Sequence, residues 1–346
     1  MHPVSLFVPR ARGRTPPTPS AFLDDPAPFD LVLASGEGLL DAGRHAAVAW
    51  CVLRGRALVQ SREGAFELGP RDWIALDRDS APGAWLGSGS VVFAVGIDPA
   101  VHQALQAATD QPVLFPGRGR MPAGARAMAL RLWRTCNRMA MPAVGGVVPD
   151  GLRRFLSLLQ AELIADAGRC PGHSQRRKRQ VLVRMQRARL YLEGHAGGGL
   201  RVAELAQRCN FSPWYFTKIF HALYGIGPQQ FAAQLRLAHA CRLLSATRLP
   251  VTEISAACGF DNPCSFSRAF RARHGMTASE YRLLHPHQPV ADKRTEPWNA
   301  QPQSPWQQAR GALWASRVTP PRTRSMRSGG WSKTAAASAT WPENSA

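Results

Sequence analysis

The chain has 346 residues, 45% of them hydrophobic and 19% charged, with a formal charge of +20, and a length of this order predicts two or three domains. It has no run of about 18 apolar residues, and its first 20 residues carry arginines and prolines without an apolar stretch, which predicts neither a membrane span nor a secretory signal. The seven cysteines are odd in number and scattered, with no Cys-x-x-Cys, which argues against a disulfide framework or structural zinc and points to the reducing cytoplasm.

Residues 1–27, centred on Thr15-Pro16-Pro17-Thr18-Pro19, read as a flexible lead-in. Residues 28–115 read as an all-β unit, with apolar runs at 29–34, 46–53, 57–61, 65–68, 73–76 and 91–97 between Gly, Pro and Asp turns. The net charge over 21–119 is −5, so this unit offers no surface for nucleic acid. Helical spacing sets in at 99–108 and continues at 124–139 and 151–167, which predicts a helical connector over 116–175, with a net charge of +5 over 120–175. Residues 176–285 carry a net +12 and open with Arg176, Arg177, Lys178 and Arg179. Residues 286–346 lack periodicity and read as a disordered tail.

The basic third contains a repeat. At an offset of 49 residues Val202, Glu204, Cys209 and Phe211 match Val251, Glu253, Cys258 and Phe260. At an offset of 50, Pro213, Phe216, Phe220, Ala222 and Gly225 match Pro263, Phe266, Phe270, Ala272 and Gly275. Each copy reads as a short helix, a turn and a second helix, the second started by Ser212 before Pro213 or Asn262 before Pro263 and closed by a glycine. The copies span about 201–224 and 251–274, with a linker helix at about 228–246. The spacing turns Phe216, Ile219, Phe220 and Leu223 inward, with Phe266, Ala269 and Phe270 in the second copy. Trp214, Thr217, Lys218 and His221, and Ser267, Arg268 and Arg271, then face outward, a polar face suited to a major groove.

Residues 180–284 resemble the DNA-binding domain of AraC-type bacterial transcriptional regulators. The resemblance rests on the leading helix at 181–192, Ala203-Glu204-Leu205-Ala206, Ser212-Pro213-Trp214-Tyr215-Phe216, Leu235-Arg236-Leu237-Ala238, Gly259-Phe260, Ser265-Phe266-Ser267-Arg268-Ala269-Phe270 and Tyr281-Arg282. It implies base contacts from Trp214, Thr217 and Lys218 and, at the matching second positions, from Pro263, Cys264, Ser267 and Arg268. With His221, Asn262 and Arg271 these form the candidate DNA-binding set. Pro263 and Cys264 stand where many members carry polar readers, which predicts phosphate and shape recognition by the second unit. Ala278 replaces the usual proline after the second closing glycine and predicts a less rigid segment there.

The β unit is similar to the cupin-like jelly-roll sensors of such regulators, through Gly64, Pro70 and Gly55. It lacks the ligand set of a metal-bearing cupin: His45 stands alone, with Ala47, Asp72 and Ala75 at positions where a second His, a Gly and a third His are expected. The expected architecture is therefore multidomain α+β, a cupin-like β-barrel followed by an all-α domain of two tandem helix-turn-helix units. No cofactor, metal or catalytic residue is expected. Trp50, Trp73 and Trp85 either line an apolar ligand cavity or fill the barrel core. His45 reads as a turn or surface histidine, and Cys209 and Cys258 as small packing residues.

The expected function is a sequence-specific transcriptional regulator that binds double-stranded DNA. The resemblance implies activation through RNA polymerase, with a small-molecule effector or a homodimer at the β unit and no membrane partner. The alternatives are a β unit that only dimerises, an architectural DNA binder, and a cupin enzyme fused to a DNA-binding domain.

Overall fold

The structure, a computed structural model, describes residues 29–43, 45–109, 114–138, 149–196 and 202–285. The expectations for 1–27 and 286–346 lie outside the described residues.

Nine strands among the described residues form two antiparallel sheets. They are β1 (Phe29–Ser35), β2 (Gly38–Asp41), β3 (Ala47–Arg54), β4 (Ala57–Ser61), β5 (Gly64–Leu68), β6 (Asp72–Asp77), β7 (Gly83–Leu86), β8 (Val91–Ile97) and β9 (Gly117–Arg120). One sheet runs β1-β8-β3-β6-β9 and the other β2-β7-β4-β5. Strand β3 is apolar at almost every position because both of its faces are covered. Val48, Trp50 and Val52 pack between the sheets, while Ala49, Cys51 and Leu53 pack under helices. Strand β8 divides the same way, Val92 and Ala94 inward and Phe93 and Val95 toward the helices, so the larger sheet is the middle of three layers. Phe93 has no exposed surface, a burial of roughly 3 kcal/mol in transfer free energy.

The six strand runs expected from the sequence all form strands, and β2, β7 and β9 add to them. Strand β9 falls inside the stretch read as a helical connector. Its Gly-Arg-Gly-Arg has no apolar pattern, and the signal comes from its partner: Asp72 to Ala75 of β6 pair with Arg120 to Gly117. Gly119 lies so near Trp73 that an added Cβ would sit 3.2 Å from the indole nitrogen.

Helices α1 (Pro99–Thr109) and α2 (Ala125–Arg138) follow the predicted periodicity. The expected helix at 151–167 is instead two, α3 (Asp150–Leu159) and α4 (Ala161–Ala167). The break is at Gln160, which leaves helical geometry at φ −107° and ψ 16°. Its buried amide donates to the Phe115 carbonyl at 2.9 Å and accepts from the Phe115 N–H at 3.1 Å. Satisfying those two buried backbone groups outweighs helix continuity.

His45 is not at the surface. It is fully buried, its Nε2 lies 2.6 Å from Asp30 Oδ2, and its Nδ1 lies 2.9 Å from the Ala42 carbonyl. Gly96 supplies the space, since an added Cβ there would meet the ring at 2.6 Å. A polar ring in a β core requires such partners, and the pair ties β1 to the turn that follows β2.

The C-terminal third is helical: α5 (Gln175–Gly194), α6 (Val202–Arg208), α7 (Pro213–Tyr224), α8 (Pro228–Ala246), α9 (Val251–Ala257), α10 (Pro263–His274) and α11 (Ala278–Leu284). The second unit has a buried cluster of its own, with Leu237, Leu244, Ile254, Phe266 and Phe270.

Candidate nucleic-acid interface

The two copies repeat their internal bonding as well as their residues. In the first turn the Phe211 N–H donates to the Ala206 carbonyl at 2.9 Å, and in the second the Phe260 N–H donates to the Ser255 carbonyl at 3.1 Å. Asn210 at φ 54° and Gly259 at φ 70° take the left-handed conformation that reverses the chain. Helix α7 begins where the Ser212 hydroxyl accepts from the Tyr215 N–H at 3.3 Å, and α10 where Asn262 Oδ1 accepts from the Ser265 N–H at 2.7 Å. Both helices close on a glycine near φ 74°, Gly225 and Gly275.

The aromatic cores are duplicated too. Phe216 and Phe220 have ring centroids 5.7 Å apart and Phe266 and Phe270 5.5 Å apart, all four fully buried. Phe220 meets Phe231 edge-on at 5.6 Å, and Phe270 meets Tyr281 edge-on at the same distance. These contacts fix the rotation of each second helix and so fix which side chains face out.

On α7 the exposed face carries Trp214, Thr217, Lys218 and His221. Trp214 is 71% exposed, and the Lys218 ammonium lies 5.1 Å from its ring centroid. The Thr217 hydroxyl donates back to the Pro213 carbonyl at 2.9 Å, which uses its proton and leaves the oxygen as an acceptor. On α10 the exposed face carries Cys264, Ser267, Arg268 and Arg271, with Arg273 beside them. Asn262 is exposed but spends its side-chain oxygen on the cap. The faces differ in chemistry: α7 offers an indole, a hydroxyl and one ammonium, whereas α10 offers a row of guanidinium groups.

Tertiary packing adds a cation that the sequence pattern did not single out. Arg184, exposed on α5, lies with its guanidinium 5.5 Å from the Phe211 ring, beside the start of α7. Helix α8 joins the units over 19 residues, about 28 Å at about 1.5 Å per residue. The Ala278 segment is held by other means than proline: Thr277 and Glu280 form a reciprocal capping box, with Thr277 N–H to Glu280 Oε2 at 2.7 Å and Glu280 N–H to Thr277 Oγ1 at 3.2 Å.

Cys209 and Cys258 are buried in the repeated turns, and burial pushes both thiols up to about 11. They are protonated packing residues at neutral pH. His274 stands where the first copy has Tyr224. Its Nε2 is 3.5 Å from Cys241 Sγ, and burial, then the Arg273 charge, holds its pKa below the usual histidine value.

The three candidate ligand residues do not meet. Trp50 points between the sheets, Trp73 lies on the opposite face of the larger sheet against the helices, and Trp85 alternates with Ala84 and Leu86, which take the inner face of the smaller sheet. All three are buried. Among the described residues no group of three or more His, Cys, Asp or Glu is placed to hold a metal ion, and no helix is long and apolar enough to cross a membrane.

Residues 205–283 match a family described as a helix-turn-helix domain. An HTH-type transcriptional regulator of Mycobacterium tuberculosis is 38% identical over 89 residues, 26% of this chain and 34% of that protein. The HTH-type transcriptional regulator CdhR of Pseudomonas aeruginosa is 35% identical over 115 residues, 33% of this chain and 32% of that protein. A solved structure of a probable AraC family transcriptional regulator from Rhodopseudomonas palustris is 30% identical, covers 30% of this chain and 96% of its own, and has a TM-score of 0.28. The chain thus spans about a third of the length of these two curated relatives.

Proposed function

We propose that the chain, whose residues 205–283 match a helix-turn-helix family and whose C-terminal domain resembles that of AraC-type regulators, is a sequence-specific DNA-binding regulator of transcription acting in the cytoplasm. The observation that carries this is the duplicated unit, with two helices of matching caps and aromatic cores that each present exposed polar side chains. Arg268 and Arg271 supply salt-dependent affinity by displacing counterions from phosphate. Trp214, Thr217 and Lys218 read base edges from α7, while α10 holds the backbone through its guanidinium row, with Ser267 and Cys264 nearest the bases. The β domain takes a small-molecule effector that changes how the two units are presented, and contact with RNA polymerase turns binding into activation.

The experiment is a fluorescence-anisotropy titration of duplex DNA across salt concentrations. A linear fall of log affinity with log salt is expected, and a flat response contradicts the reading.

A second reading, in which the β domain only holds a homodimer, draws on the packing of the sandwich interior. Trp50, Val59, Phe66 and Leu68 fill it at 0 to 1% exposure. Calorimetric titrations that reveal no small-molecule binder would favour it.

A further inference from the structure

We propose that the first helix-turn-helix unit is a fixed part of the β domain, and that the cooperative boundary in this chain runs through α8, leaving the second unit as the part that opens and moves on its own.

Three observations join the first unit to the β domain. One buried apolar cluster runs from the larger sheet through the connector into α7, without a break at the start of the DNA-binding domain. Phe93 of β8 meets Phe155 of α3 edge-on at 5.5 Å, and the same cluster includes Met185 of α5 and Phe216 and Phe220 of α7. Helix α5 is docked at backbone level: a Cβ added to Gly194 would collide with the Glu63 carbonyl oxygen in the β4–β5 turn, and Leu190 belongs to the cluster between the two sheets. A polar seam runs beside these contacts. Arg187 of α5 pairs with Asp77, its Nε 3.0 Å from Oδ2, at the end of β6. Arg118 of β9 lies 3.7 Å from Glu193, which accepts from Arg189 at 2.8 Å, and the Arg189 guanidinium stands 5.3 Å from the Tyr224 ring and 5.8 Å from the Phe231 ring. That chain of contacts leads from a sheet edge to the C-terminal end of α7.

The second unit is attached differently. Its buried cluster is separate, and α8 is divided between the two: Phe231 and Leu235 pack on the first, Leu237 and Leu244 on the second. Arg236 marks the junction, donating to the Gly259 carbonyl at 3.0 Å with its guanidinium 4.9 Å from the Phe260 ring. Units with separate cores open separately, and units that share a core open together. A ligand or partner that stabilises the β domain therefore stabilises α7 equally and reaches α10 only through α8. The consequence for DNA rests on the reading above, whereas the folding claim does not.

The test is native-state hydrogen exchange of the full chain over a urea series, with Phe220→Leu and Phe270→Leu compared with the parent. In the parent, the amides of β3, β8 and α7 are expected to merge into one opening at the same urea dependence, with those of α9 and α10 in another. Phe220→Leu should speed exchange in β3, β8 and α7 together by about tenfold and leave α10 at the parent rate, and Phe270→Leu should do the reverse. The inference is overturned if α7 and α10 open together while β3 and β8 keep their protection. The parent series decides the matter alone if a variant fails to fold. Loss of DNA binding in this protein would sink the regulator reading without touching the exchange pattern.

Discussion

The Lys218 ammonium rests 5.1 Å from the centroid of the Trp214 ring, one helical turn away on the exposed face of α7. Trp214 is 71% exposed, which costs hydration free energy in the free protein, and the cation over its face favours one orientation by about 0.5 to 1 kcal/mol. Lys218→Ala is expected to weaken binding to duplex DNA by about 1 to 3 kcal/mol with an unchanged melting temperature. Trp214→Ala should weaken it by a similar amount. Anisotropy titrations that overlay the parent for both variants would remove this face from the contact surface.

Arg268 and Arg271 test the other unit. If α10 holds phosphates, Arg268→Ala lowers affinity for cognate and random DNA alike and reduces the salt slope by about one. A loss confined to cognate DNA would instead place Arg268 against a base edge.

The stability of the second unit is expected to depend on pH through His274. Its pKa is held down in the folded state by burial and by Arg273, so the unfolded chain binds the proton more readily, and the stability this histidine contributes is present above the ordinary histidine pKa of 6.5 and lost as pH falls through the folded value. Cys241, Phe270 and Tyr281 face the ring and none carries a positive charge, which leaves Arg273 as the opposing cation. Urea midpoints of α10 exchange should fall between pH 7 and pH 5 in the parent and stay level in His274→Phe. Equal falls in both proteins would clear His274 of the effect.

Phe270→Ala removes a ring with no exposed surface and is expected to cost about 3 to 5 kcal/mol of stability in the second unit. Thermal unfolding followed by calorimetry gives the number. A protein that melts like the parent would mean that the inward and outward faces of α10 have been exchanged.

The Asp30–His45 pair is buried in the β domain, at 2.6 Å. Asp30→Ala removes the hydrogen bond at the buried His45 Nε2 and should cost about 1 to 3 kcal/mol, read as a shift in the urea midpoint by tryptophan fluorescence. A shift smaller than that of a surface substitution would show that the pair carries no stability.

The tandem units were legible because their signals are local. Ser212 and Asn262 before proline, Gly225 and Gly275 at the ends, and Phe spaced by four residues each act within a few positions of themselves. The strands with continuous apolar runs, β3 and β8, were legible for the same reason. What escaped depends on distant partners. Gly117–Arg120 is a strand only because β6 offers it an edge, and Gln160 breaks a helix only because Phe115 needs two hydrogen bonds. Alternation places Trp50 and Trp73 on strands, but which layer each faces follows from the helices that cover the larger sheet, and those contacts put the two residues on opposite faces. His45 does lie in a turn, but its burial depends on Gly96, which makes room for the ring.

The claim that stands above the others is that two unlike recognition helices on one chain select a DNA site. Genomic fragments retained by the purified protein at physiological salt, then sequenced, test it most directly. The account predicts a motif with two contact regions about one helical turn apart, roughly 34 Å, and a sharper consensus under α7 than under α10. Retention with no shared motif would contradict it and leave only charge-driven binding.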